Sequence, residues 1–122
     1  YRVPRNFRDL AVLVARFHSH CHRAAELRPA TLMKVLEGAD AFRQIDRFEK
    51  FLLACEADAR GRKGLEKQDY FQADILRTAR LAAAEVDVAD LTDLSGEEIG
   101  ARLRERRIHA VAEAVQNMQQ NS

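Results

Sequence analysis

Apolar residues in this chain recur every three or four positions, and no segment alternates apolar with polar residues long enough to make a strand. That spacing lays a stripe down one side of an α-helix. Glycine and proline number only five and two, so little interrupts the pattern. The sequence therefore predicts an all-α fold, an irregular bundle of five to six helices. With 122 residues, they share a single hydrophobic core.

A first helix is expected from about Arg5 to His18 or beyond, carrying Phe7, Leu10, Ala11, Val14, Phe17, His18 and Cys21 on one stripe. Pro29 suits a helix start, because its missing N–H would be unpaired there anyway, and the second helix should stop at Gly38. A third, about Asp46 to Arg60, turns Phe48, Phe51, Leu52, Cys55 and Ala59 inward and ends at Gly61 and Gly64. A fourth, about Asp69 to Glu85, places Tyr70, Ala73, Leu76, Arg77 and Leu81 near one face. The acidic stretch from Glu85 to Glu98 is expected to hold a short helix near Val88 to Leu91. The last helix has the clearest start: Ser95 can cap it and Glu98, three residues on, can bond back. Its stripe shifts from Ile99 and Leu103 to Ile108, Val111, Ala112 and Val115, so it either kinks or packs against two neighbours.

The net charge is +1, and neither half of the chain is strongly basic. Cys21 and Cys55 lie in apolar patterns and read as two buried thiols in a reducing compartment. No apolar run approaches 18 residues and no signal peptide is visible, so the expectation is a cytoplasmic protein without a membrane span. The chain begins with Tyr1 rather than Met, which fits a piece of a longer protein.

Three groups of residues could carry chemistry. His18 and His22 stand one helical turn apart, a spacing that can share a metal ion or simply mark a packed histidine near a helix end. Asp58 sits at the edge of the third helix's stripe, where a carboxylate needs a partner. Arg60, Arg62 or a metal could supply one, and Glu56, Asp58, Arg60 and Arg62 also read as a structural ion-pair network. Arg102, Arg104, Arg106 and Arg107 crowd into six residues with only Glu105 between them. They either face phosphates or form a solvated face neutralised by the acidic stretch.

Several segments carry a resemblance to one family. They are Val3-Pro4, Arg8-Asp9-Leu10-Ala11, Arg28-Pro29-Ala30-Thr31-Leu32, Glu56-Ala57-Asp58-Ala59-Arg60-Gly61-Arg62, Gly96-Glu97-Glu98-Ile99-Gly100 and Arg106-Arg107-Ile108. Together they resemble the bacterial CCA-adding tRNA nucleotidyltransferases that have a built-in HD phosphohydrolase domain. The resemblance implies a parent enzyme that builds or repairs the 3′ CCA end of tRNA from CTP and ATP, with Mg²⁺ in its head and a divalent metal in its HD site. Residues 1–62 would be the latter part of the HD-type domain, and 63–122 a C-terminal helical tail lying along the tRNA body.

Within that resemblance, His18 matches the histidine of a later His-Asp pair, and Ser19 stands where the aspartate would be. Asp58 is similar in place to the closing aspartate of an HD site. His18 and Asp58 are thus the implied metal remnant, Arg102, Arg104, Arg106 and Arg107 the implied tRNA contacts, and no tightly bound metal is expected in this chain alone. No segment resembles the Gly-Asp-x-Arg-Asp site on which the family's nucleotidyl transfer depends, so no catalytic residue is assigned. The alternative is a non-catalytic helical module that associates with a second copy of itself.

Overall fold

The computed structural model describes residues 5–61 and 69–121, with only the backbone described at 5 and 6. Five helices follow in order: α1 (Arg5–His22), α2 (Pro29–Gly38), α3 (Ile45–Arg60), α4 (Phe71–Ala84) and α5 (Gly96–Gln120). A short 3-10 turn, Ala24–Glu26, joins α1 to α2. Among the described residues there is no strand, as the spacing of apolar residues predicts. Arg62, Gly64 and Lys67 lie outside the described residues.

The core is one cluster with members from every helix. α2 sits at its centre. Leu32, Met33, Val35 and Leu36 are all buried, so apolar surface covers most of the helix's circumference and α1, α4 and α5 close round it. α1 packs along α3 and buries Leu13, Phe17 and Cys21, spaced four apart, in the core. The expected stripe is therefore turned: Phe7 is 65% exposed, and Leu13 takes an inward place. α3 contributes Phe48, Phe51, Leu52 and Cys55, with the two phenylalanine rings stacked 6.4 Å apart. In α4 the inward residues are Ala73, Ile75, Leu76, Ala79 and Ala83, while Leu81 faces solvent, contrary to the sequence reading. Both cysteines are free and fully buried.

The capping box of α5 forms as expected. Ser95 Oγ accepts the Glu98 N–H at 3.2 Å, and the Glu98 carboxylate accepts the Ser95 N–H at 3.4 Å. α5 packs against both α2 and α4, which accounts for its shifting stripe. No helix forms at Val88 to Leu91, where a single turn closes from the Leu91 N–H to the Val88 carbonyl. The Asp87 carboxylate accepts the Ala89 N–H at 2.6 Å, as a helix cap would, but so few residues close one turn without propagating a helix.

The end of α2 assigns two tasks to two residues. Asp40 carries the left-handed turn at φ 50°, and the Ala41 N–H returns to the Leu36 carbonyl at 3.0 Å. Aspartate tolerates that conformation better than most side chains. Gly38 serves differently. The Phe17 ring from α1 lies where its Cβ would be, so only glycine lets the two helices approach so closely here.

Candidate functional site

α1, α3 and α4 meet at one end of the bundle, and a chain of polar groups joins them there. The His22 Nε2–H, at the end of α1, donates to Asp58 Oδ2 on α3 at 2.8 Å. The opposite ring nitrogen, Nδ1, lies 2.8 Å from the Tyr70 hydroxyl at the start of α4. Tyr70 in turn donates to Cys21 Sγ at 3.3 Å, deep in the core. The Gln72 amide donates to the His22 carbonyl at 3.3 Å. A carboxylate only accepts, so Nε2 carries a proton toward Asp58, while the phenol has a single proton that serves Cys21 Sγ or Nδ1 but not both.

The Asp58 end of this chain is half exposed and the Cys21 end is fully buried. Burial, together with the hydrogen bond to Cys21, pushes the Tyr70 phenol well above its ordinary range. The hydrogen bond to Cys21 and then burial push the Cys55 thiol up likewise. Tyr70 therefore stays a neutral phenol and Cys55 an inert thiol at ordinary pH.

His18 sits one turn before His22, and their rings meet edge to face with centroids 5.9 Å apart. Its Nδ1 is 3.0 Å from the Val14 carbonyl of its own helix. Among the described residues, no group of three or more His, Cys, Asp or Glu side chains could hold a metal ion. Glu56 and Arg60 form the expected ion pair along α3 at 3.8 Å. Arg62 lies outside the described residues. Sequence reading selected His18 and Asp58 and missed Tyr70, which enters from 48 positions after His22. The one available signal was a tyrosine with a hydroxyl to satisfy on an otherwise apolar face.

The four arginines of α5 divide. Arg104 clamps Glu37 of α2 through two bonds of 3.0 and 3.1 Å. Arg106 clamps Asp90 at 2.8 and 2.9 Å, and also reaches the Asp87 carbonyl. The hydrogen bond from Arg106 is the main cause holding the Asp90 carboxyl down at about 2. Arg107 donates to the Ala83 carbonyl and lies over the Phe42 ring, 4.2 Å from its centroid. Arg102 is exposed and, among the described residues, has no acidic partner. Arg104 and Arg107 line, with Arg43, a cleft of about 450 Å³ between α2 and α5.

No protein-family model matches the chain, and no solved structure matches it. Curated relatives do. The chain is 53% identical over 113 residues to the multifunctional CCA protein of Thioalkalivibrio sulfidiphilus, covering 91% of this chain and 28% of that protein. It is 53% identical over 116 residues to the protein of that name from Nitrosococcus oceani, covering 93% and 29%. With the one from Pseudomonas syringae it shares 48% over 113 residues, covering 91% and 28%. The chain thus spans a little over a quarter of the length of the relatives it matches, and along nearly its whole extent it is similar to one segment of the multifunctional CCA proteins.

Proposed function

We propose that this chain is the C-terminal helical region of a CCA-adding tRNA nucleotidyltransferase, a parent enzyme that adds or repairs the 3′ CCA end of tRNA with CTP and ATP. The 53% identity to multifunctional CCA proteins supports this most strongly. Nucleotidyl transfer, with its Mg²⁺, belongs to the parent's head, because two metal ions need paired carboxylates of a kind no segment here resembles. Residues 1–62 complete an HD-type phosphohydrolase domain, in which His18 and Asp58 stand near a divalent metal that upstream ligands would hold. Residues 63–122 form the tail that lies along tRNA in the cytoplasm.

In this reading Arg102, Arg104, Arg106 and Arg107 face phosphates. Arg102 is exposed and lacks an acidic partner among the described residues, and the two carboxylate clamps are solvent-exposed enough to exchange for phosphate. Replacing Arg102 and Arg106 together with Ala should weaken tRNA binding and flatten its dependence on salt by about one to two units of log–log slope. An unchanged slope with lowered thermal stability would mean that the arginines only neutralise the acidic stretch.

A second reading has an observation of its own. Phe7 and Val12 on α1 are 65% and 66% exposed, which suits association with a second copy. A dimer by mass measurement in solution, lost on Phe7→Ser with Val12→Ser, would support it. A monomer would remove it.

A further inference from the structure

Two clefts lie side by side along α1, and neither is lined by a member of the polar chain or by an arginine of α5. The first, about 420 Å³, runs between α1 and α2 and is lined by Arg16, Phe17, His20, Thr31 and Lys34, with Gly38 in its wall. The second, about 230 Å³, continues it: Arg16 and Gly38 belong to both, and Arg47 lines the second.

The first cleft carries uncompensated positive charge. Arg16 on one helix and Lys34 on the other are exposed, and neither has an acidic partner among the described residues. One carboxylate, Glu37, lines this cleft, and it is already held by both bonds from Arg104. Asp9 lines only the second cleft. Arg47 adds a buried Nε donor with no hydrogen-bond partner, although its other end donates to the Ala39 carbonyl at 3.2 Å.

The donors are also pre-arranged. The Arg16 guanidinium lies over the Phe17 ring, 5.0 Å from its centroid, and the His20 ring meets the same phenylalanine edge-on at 5.7 Å. That ring is wedged against the bare main chain at Gly38. A buried aromatic thus orients two donors toward one side of a cleft whose other side offers Lys34 and the Thr31 hydroxyl. Phe17 is only 7% exposed and offers no face on which a base could stack.

We propose that this cleft, with Arg16, His20 and Lys34 as its donors, binds phosphates of an RNA backbone and positions the RNA without reading its bases. Charged and hydroxyl donors without an open stacking platform are the chemistry of backbone contact. The proposal rests on the tRNA reading above but assigns a second contact surface, between α1 and α2, that meets the α5 arginines only at Glu37.

The test is binding of the chain to a tRNA transcript across a range of salt concentrations. Arg16→Ala with Lys34→Ala is expected to weaken binding about tenfold near physiological salt and to lower the log–log salt slope by about 1.4 to 1.8. As a charge-matched control, Arg23→Ala with Arg60→Ala, two exposed arginines each paired along its own segment, should leave affinity within about twofold. An equal loss in that control would reduce the effect to general charge and overturn the proposal. Loss only in Arg102→Ala with Arg106→Ala would overturn the cleft while leaving the tail reading intact. Loss only in the cleft variant would uphold the cleft and remove the α5 contacts. No binding by the unaltered chain would overturn both. Acylation of Lys34 supplies an independent readout. Saturating tRNA should slow it at least fivefold, and inorganic phosphate at the same phosphate concentration should not. Equal protection by inorganic phosphate would show an anion site without RNA and sink the proposal.

Discussion

The polar chain at the meeting of α1, α3 and α4 and the arginine row of α5 are both built from charged and hydrogen-bonding groups, yet they do opposite work. The first runs inward, from a half-exposed carboxylate to a fully buried thiol, and each member relies on the next. Buried polar groups left without a partner lose their hydration and gain nothing in return. The second lies at the surface, where water stands ready to replace any partner, and exposed pairs of that kind add little to stability. The inner chain therefore fixes the fold, while the outer row is free to exchange one anion for another.

Substitutions can break that contrast. The largest expected effect is in the inner chain. Tyr70→Phe removes one oxygen and leaves both His22 Nδ1 and Cys21 without their neighbour, so unfolding stability in urea should fall by about 1–3 kcal/mol. Gly38→Ala tests the packing beneath the α1–α2 cleft. The added methyl must displace the Phe17 ring, and overpacking of this kind costs about 1–3 kcal/mol, with less effect if the ring can slide outward. Ser95→Ala removes the cap of α5 and should cost about 1 kcal/mol, read from the same urea curves.

The smallest effect is in the outer row. Arg106→Ala should leave the urea midpoint nearly unchanged, and a loss as large as that of Tyr70→Phe would erase the distinction between the two regions. It should still be visible by titration. Asp90 holds its carboxyl at about 2 in the folded chain against an ordinary 3.8. Whatever the pair contributes is thus complete above about pH 3.8 and is lost as pH falls toward 2. A carboxyl NMR titration of Asp90 should show its midpoint rising toward the ordinary value when Arg106 is replaced.

What could be read without coordinates follows the range of each interaction. The five main helices, the start at Pro29 and the capping box of Ser95 and Glu98 depend on neighbours within four residues, and all of these form. The burial of Phe48, Phe51, Leu52 and Cys55 follows from their spacing on a single helix. Periodicity alone could not choose between Leu81 and Ile75, because the apolar arc of α4 is wide and the position of α5 decides which part is covered. Between Val88 and Leu91 the local pattern supplies a cap and one turn but too few residues to propagate a helix. In the candidate site, His22 finds Asp58 and Tyr70 from 36 and 48 positions away, and Arg104 finds Glu37 from 67. No local pattern encodes such pairings. They depend on which helix ends the packing brings together.

The central place of α2 bears on how the molecule opens. Ten residues are too few to hold a helix in water without support. Its amide hydrogens are thus shielded by α1, α4 and α5 rather than by any stability of its own. Deuterium should enter the two ends of α5 early, as that helix frays, and reach Val35 and Leu36 only when the whole bundle comes apart. The shortest helix would then be the slowest to exchange, and its rate would report the global free energy of unfolding.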